Sequence, residues 1–356
     1  IPTVTAAIML VFSEFFTNIL QVYNKLGRIG VSEIISILPQ FILFFMFEGE
    51  KLITFSLYMM TLTGVISYLI FTIQAPFPLR LSFVRKNISD LSKLAVSLLT
   101  PTICYYFINI VVISTISAYY SIESLGHFSF ANSLSAAATV GLTSIAWVYY
   151  PKLLARTTGT VDSISTKNEV RRVAEVFTPL VLVCILVIIC IIPVILNYLP
   201  DYKSTQNIIV ILLLAQFFQL SSFAYSGMIL AKRKQRKIGV ISLQALLIVS
   251  FLSILFALLK IDVVFQAAAL MLGLLVYSSL IFRYGATLIQ SSYLEIIKEN
   301  LLNIGVVVPI LIVFSGLLVN SIMYFSLVAL MLALAFNYVK FRNLYSMLLK
   351  NRSAPT

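Results

Sequence analysis

The stretch from Pro179 to Leu199, PLVLVCILVIICIIPVILNYL, has no charged side chain and is rich in isoleucine, leucine and valine. A run of this length matches the hydrocarbon core of a bilayer, which is about 30 Å thick and takes roughly 20 helical residues to cross. The rest of the chain is similar, because 60% of its 356 residues are hydrophobic and only 11% are charged. Soluble domains carry about 25% charged residues. The composition therefore predicts a multispanning membrane protein.

Eleven apolar runs have the length of a membrane span. They cover residues 1–23, 31–48, 52–74, 94–119, 125–150, 173–199, 206–231, 238–259, 262–282, 301–319 and 321–339. In lipid the backbone must satisfy its own hydrogen bonds, which leaves α-helices or a closed β-barrel. Barrel strands alternate apolar and polar residues over about ten positions, whereas these runs are continuously apolar. The predicted fold class is an all-α polytopic membrane protein with about eleven transmembrane helices.

The basic residues predict how these spans are oriented, because loops rich in lysine and arginine stay in the cytoplasm. If the loop with Lys25 and Arg28 is cytoplasmic and the sides then alternate, 22 of the 25 basic residues lie on the cytoplasmic side. The three others are Lys51, Lys203 and Lys260. The densest block, KRKQRK at 232–237, becomes a short cytoplasmic loop that anchors the topology and meets anionic lipid headgroups. The net charge of +12 thus indicates topology and membrane lipids rather than nucleic acid, with a cytoplasmic C-terminus.

The loops between the predicted spans exclude several function classes. The outer loops YYSIESLG, LPDYKSTQ, KID and NS are too short to form a catalytic domain. The longest inner loop, PKLLARTTGTVDSISTKNEVRR at 151–172, has no glycine-rich phosphate cradle. The three cysteines, Cys104, Cys184 and Cys190, lie inside apolar runs, and the whole chain has one histidine. This pattern favours cysteines that pack in the interior over a disulfide framework or a metal site. We expect no enzymatic activity, no cofactor and no metal.

Polar side chains inside the predicted spans are the candidates for a functional site, since such groups are costly in lipid and usually face the protein interior or a cavity. The substrate-cavity candidates are Glu14, Asn18, Asn109, Asn132, Thr139, Gln216 and Gln219. Polar side chains also join helices across close contacts, so each stripe is either a helix contact or part of a water-filled translocation cavity. Glu14 is the one carboxylate deep in a span, and it favours a cavity because a buried carboxylate needs a partner or a proton.

Three longer segments carry a recognisable pattern. In ESLGHFSFANSLSAAATVGLTSIAWVYYPKLL, residues 123–154, an outer Leu-Gly-x-Phe turn opens a helix of small residues that closes with Tyr-Pro-x-Leu. Residues 197–236 place an outer Pro-x-Tyr before a helix that ends in a basic loop, and NILQVYNKLGRIGVSEI at 18–34 is a further helix junction. These segments resemble lipid-linked oligosaccharide flippases of the multidrug/oligosaccharidyl-lipid/polysaccharide (MOP) superfamily.

The resemblance implies a MOP/MATE-like bundle of two six-helix lobes, often followed by two further helices. It assigns 1–74 to the remaining three spans of the N-terminal lobe and 75–92 to a cytoplasmic linker. It assigns 93–286 to the six-helix C-terminal lobe and 287–356 to two extra helices with a basic tail. Three spans are then expected to precede Ile1, giving an N-terminally truncated chain with an incomplete first lobe. Many relatives have an aspartate where this chain has Asn109, which puts ion coupling through that position in doubt.

The function implied by the resemblance is transport without covalent chemistry. The chain would flip an undecaprenyl-diphosphate-linked oligosaccharide across the bacterial inner membrane for the synthesis of O-antigen, capsule or exopolysaccharide, alongside polysaccharide polymerase or assembly proteins. Cations at the cytoplasmic mouth would attract the diphosphate, and the candidates are Lys25, Arg28, Arg80 and Lys152. Two alternatives remain: a drug/cation antiporter of the same superfamily, and a non-transporting partner in envelope assembly.

Overall fold

The computed structural model describes residues 55–59, 61–66, 85–158, 163–319 and 321–352. These parts consist of helices joined by short turns and links and contain no β-strand, which confirms the all-α prediction. The predicted spans 1–23 and 31–48 lie outside the described residues. The third predicted span overlaps a short apolar helix at Phe55–Ile66. The bundle considered below belongs to the compact unit Ser89–Thr356.

Ten α-helices occupy the described part of the chain from residue 85 onward. They are α1 (Arg85–Tyr119), α2 (Ile122–Thr158), α3 (Ser163–Tyr198), α4 (Gln206–Ser221), α5 (Phe223–Ala231), α6 (Gln235–Leu258), α7 (Val264–Leu288), α8 (Tyr293–Asn300), α9 (Ile304–Leu318) and α10 (Ile322–Arg352). A 3₁₀ turn at Pro200–Thr205 leads into α4. Only Ser222 separates α4 from α5, and the two helices together form one continuous apolar span.

Within the described residues, six helices are long and apolar enough to cross a membrane, or seven if the bent pair α8–α9 is one span. With the bent pair counted as one span, they match seven of the eleven predicted spans. The span predicted at 301–319 agrees with α9, Ile304–Leu318, to within three residues, and α9 meets the short helix α8 at 59°. The span predicted at 125–150 forms α2 but is not among the six, since its serine, threonine and asparagine residues make it less apolar than its neighbours.

The α4–α5 span is the core of the bundle. In the 18-residue apolar core of this span 83% of the residues are buried inside the protein, against at most 44% in the corresponding stretch of the other described spans. Helices α2, α3 and α7 surround α4, and their contacts leave Ile209, Leu213 and Phe217 with no exposed surface. A helix that is apolar all round can face either a protein core or lipid. The packing of α2, α3 and α7 around it is therefore what places α4 at the centre.

Contacts between the helix ends agree with the alternating orientation predicted from charge. At one end of the bundle, the Tyr120 hydroxyl after α1 donates to the Ile261 carbonyl after α6, at 2.8 Å. At the opposite end, the Arg171 guanidinium of α3 lies 3.2 Å from Glu295 of α8 and also pairs with Glu299. Both sets join ends that the charge pattern assigns to the same side of the membrane.

The last two long helices form a hairpin that packs on α3. Asn303 caps α9 by accepting a hydrogen bond from the Gly305 amide at 3.0 Å. Asn337 of α10 is buried and donates to the Gly305 carbonyl at 3.2 Å. A Cβ on Gly305 would lie only 2.7 Å from the Asn337 amide, so glycine is what allows α9 and α10 to approach this closely.

The three cysteines are free thiols, with Cys104 buried and the other two half-buried. Among the described residues no group of three or more histidine, cysteine or acidic side chains is arranged to hold a metal ion.

Candidate functional site

A cavity of about 250 Å³ lies where α1, α4, α6 and α7 meet. It is lined by Pro101, Thr102, Tyr105, Ile108, Gln219, Ser242, Leu274 and Tyr277. Five of these eight side chains carry a hydroxyl or an amide, and none is charged. Gln219 stands near the middle of the span Pro200–Ala231 and Tyr277 near the middle of Val264–Leu288, where polar groups are expensive, whereas Thr102 and Ser242 lie closer to the starts of their spans. Its position makes the cavity the strongest site candidate in the described bundle.

The α1 wall of the cavity depends on a proline and on a close helix approach. Pro101 lies inside α1 and lacks the N–H that would donate to the carbonyl one turn earlier, which loosens the helix there. Thr102 and Tyr105 follow at i,i+3 spacing, so both side chains lie on the same face. Gly239 of α6 approaches Thr100 so closely that a Cβ would lie 3.1 Å from its methyl group. This contact brings α6 close to α1 beside the cavity.

Two glutamines of the core helix reach the cavity region. Gln216 donates from Nε2 to the hydroxyl oxygen of Tyr105 at 3.3 Å, which ties α4 to α1. Gln219 lies one turn later and lines the cavity, and its Oε1 is buried without a hydrogen-bond partner. A buried acceptor of this kind costs free energy unless a partner arrives. Of the two predicted residues, Gln219 therefore lines the cavity, and Gln216 lies beside it and holds the lining residue Tyr105.

Gln266 is fully buried, whereas Gln219 is half-buried, and the two differ in how their amides are used. Gln266 at the start of α7 has no exposed surface. It accepts from the Ser253 hydroxyl at 2.5 Å and donates to the Ser253 carbonyl at 3.1 Å and to Tyr120 at 3.2 Å. All of its polar atoms are thus used in joining α6, α7 and the end of α1. Gln266 is a structural residue, whereas the amide oxygen of Gln219 is left for something else.

The structure places the other described candidates away from this cavity. Asn109 donates weakly to the Tyr105 carbonyl within α1, at 3.4 Å. Thr139 is buried and its hydroxyl donates to the carbonyls of Ser135 and Ala136 in its own helix. Both are satisfied locally, as the helix-contact interpretation expects. Asn132 is half-buried on α2. None of the three lines the cavity, and a role in a translocation path stays a prediction for each.

The other predicted site residues lie where the structure describes no side chain. Glu14, Asn18, Lys25, Arg28 and Arg80 lie outside the described residues. Lys152 lies in α2, where the structure describes the backbone alone. Their proposed roles in proton coupling and diphosphate attraction stay predictions.

Sequence reasoning did not single out Thr102, Ser242 and Tyr277 as site residues. Each is a polar or aromatic residue in an apolar run, and such residues are usually explained by helix packing. The available signal was Tyr277, which precedes Ser278 and Ser279 in the middle of α7. What brings it to the site is the packing of α7 against α4 and α6, which no spacing within α7 reveals.

Charged groups of the described bundle are concentrated at its ends. Arg171 makes ion pairs with Glu175, Glu295 and Glu299 at the end that also holds the 232–237 loop. The opposite end has Lys203 and Lys260 with Asp201 and Asp262. The cavity between these ends is therefore polar without being charged.

Comparison of the chain with sequence models of protein families, with curated proteins and with solved structures gives no match in any of the three. The family resemblance stated above therefore rests on the residues of the chain itself.

Proposed function

We propose that this chain is a membrane transporter that moves an undecaprenyl-diphosphate-linked oligosaccharide from the cytoplasmic to the outer leaflet of the bacterial inner membrane. The proposal includes a MOP/MATE-like arrangement of two lobes, about eleven spans in this chain and a cytoplasmic C-terminus. It follows from the resemblance of residues 18–34, 123–154 and 197–236 to lipid-linked oligosaccharide flippases. Polysaccharide polymerase or assembly proteins are its proposed partners.

One structural observation supports transport in particular: the uncharged polar cavity at Gln219, formed among helices long enough to cross a membrane. Three described side chains, Thr178, Gln219 and Asn337, have a buried oxygen without a hydrogen-bond partner, and of these only Gln219 lines the cavity. An unpaired acceptor there costs free energy unless a ligand supplies a donor. Transporters do need polar groups there, since substrates bind near the middle of the bilayer. The cytoplasmic cations would attract the diphosphate while its lipid tail stays in the bilayer.

The drug/cation antiporter receives less support. A cationic substrate requires a carboxylate or a dense set of oxygen ligands, and no acidic side chain lines the described cavity. Asp and Glu residues of the bundle from α1 to α10 cluster at its ends instead.

Reconstitution into vesicles tests the proposal. We expect vesicles containing the protein to move a sugar-labelled undecaprenyl-diphosphate-linked glycan between leaflets, measured by its exposure to a membrane-impermeant oxidant. The same vesicles are not expected to export a cationic dye under a sodium or proton gradient. Dye export without glycan movement would establish the antiporter instead, and neither activity would favour the assembly partner.

A further inference from the structure

The lining of the cavity restricts the chemistry of its ligand. Its polar side chains are Thr102, Tyr105, Gln219, Ser242 and Tyr277, and its apolar ones are Pro101, Ile108 and Leu274. The hydroxyl groups both donate and accept hydrogen bonds, and a glutamine amide does so through two separate atoms. This combination matches a molecule that carries several hydroxyl groups on a compact apolar frame.

The unpartnered Oε1 of Gln219 sharpens this restriction. A carbonyl oxygen can only accept, so its missing partner must be a donor. A hydroxyl group supplies such a proton, whereas an ionised diphosphate offers acceptor oxygens only. A diphosphate would also have to leave water for a site with no cation among its described lining residues, and burying an unpaired charge is strongly unfavourable.

The size of the cavity sets a further limit. Pockets for drug-sized ligands measure about 300–1,000 Å³, and this one is about 250 Å³. The part of a ligand that lies inside it is therefore about the size of one small ring. The two tyrosines that line it supply flat aromatic faces, on which the C–H side of a sugar ring can pack.

We infer that this cavity binds a single uncharged sugar ring through Gln219 and the surrounding hydroxyl groups, and that it excludes the diphosphate. The inference rests on the proposed function for the origin of that ring, which would be one residue of the lipid-linked glycan. The charged diphosphate and the uncharged sugar of the substrate are then recognised in different places. The ring occupies the uncharged mid-span cavity, and the diphosphate stays near the basic end of the bundle.

Ligand-dependent thermal stability of the purified protein in detergent tests the inference without any transport step. The probes are glucose, galactose, mannose, rhamnose, N-acetylglucosamine and N-acetylgalactosamine, each at equal concentration, together with pyrophosphate and sodium chloride. A ligand that binds the folded state raises the melting temperature. Sugars also stabilise proteins by exclusion from the surface, but that effect is equal in closely related variants. Only a difference between wild type and variant therefore counts as binding.

The matched variants are Gln219→Leu in the cavity and Gln244→Leu on the exposed face of α6. We expect at least one sugar to raise the melting temperature of the wild-type protein and of Gln244→Leu, and to raise that of Gln219→Leu clearly less. The affinity for that sugar should fall by about tenfold or more in Gln219→Leu, the change expected when one hydrogen bond is lost and a polar group is left unpaired. Tyr277→Phe serves as a second cavity variant if Gln219→Leu does not fold.

Two results would overturn the inference. One is that no sugar distinguishes wild type from either cavity variant. The other is that pyrophosphate or sodium does so, which would make the cavity an anion or cation site. Sugar binding in a protein that fails to move the glycan in vesicles would leave the cavity assignment standing and refute the proposed function alone.

Discussion

The buried amide of Gln266 is the most completely hydrogen-bonded polar side chain in the described bundle, with contacts to both the hydroxyl and carbonyl of Ser253 and to Tyr120. Polar contacts between membrane helices contribute about 0.6 kcal/mol on average and up to about 1.7 kcal/mol. Because three contacts are lost together, we expect Gln266→Leu to lower the free energy of unfolding by about 1–2 kcal/mol. The melting temperature in detergent measures this.

Gln244→Leu is the control for Gln266→Leu, since Gln244 is exposed on the neighbouring helix. Its melting temperature should stay near that of the wild type. Equal melting of the two variants would mean that the Gln266 network does not stabilise the bundle.

Individual site residues were only partly predictable from the sequence. Gln216 and Gln219 stand out because amides are rare in an apolar run, and both are found at the cavity or beside it. The same reasoning applied equally to Thr139, whose hydroxyl is satisfied within its own helix. Sequence spacing identifies the polar face of a helix but not its neighbour. Whether that face meets a cavity or a packed helix depends on tertiary packing.

At the scale of helices, Gly273 controls how closely α7 approaches α6. A Cβ at this position would collide with Cγ2 of Val249, and both residues are buried. Overpacking of this kind costs about 1–3 kcal/mol, so Gly273→Ala should lower the melting temperature. Combining it with Val249→Ala should restore part of the loss, because the second change removes the colliding methyl group.

A double-mutant cycle in the purified protein measures this coupling. Gly141→Ala is the matched control, because Gly141 is also helical and has no atom within 4 Å of its Cβ position. Additive effects of Gly273→Ala and Val249→Ala would show that the two helices do not meet at this point.

The helices themselves were the most predictable feature of this chain. Long apolar runs such as 173–199 and 238–259 coincide with α3 and α6 to within a few residues at most ends, apart from the amphipathic start of α3. Helix α8, Tyr293–Asn300, was not foreseen, because it is short and amphipathic and its charged residues leave no apolar run. Its acidic residues pair with Arg171 of α3, a long-range contact that hydropathy does not record.

At the scale of the whole molecule, charge divides the described bundle into two unlike ends. Lys203 and Lys260 are the only described basic residues at the end where α4 begins and α6 ends. The opposite end includes the loop at 232–237, with five basic residues. Because basic loops are retained in the cytoplasm, this asymmetry predicts the orientation of every described span together.

Single cysteines test that orientation. In a background where Cys104, Cys184 and Cys190 are replaced by serine, Ser204→Cys is expected to react with a membrane-impermeant maleimide on intact cells. Lys234→Cys is expected to react only after the cells are permeabilised, because it lies in the basic loop on the other side. Both residues are exposed in the folded chain, so failure to react reports the membrane barrier rather than burial. Labelling of position 234 but not 204 on intact cells would show that the true orientation is the opposite of the predicted one. The proposed direction of transport would then be reversed as well.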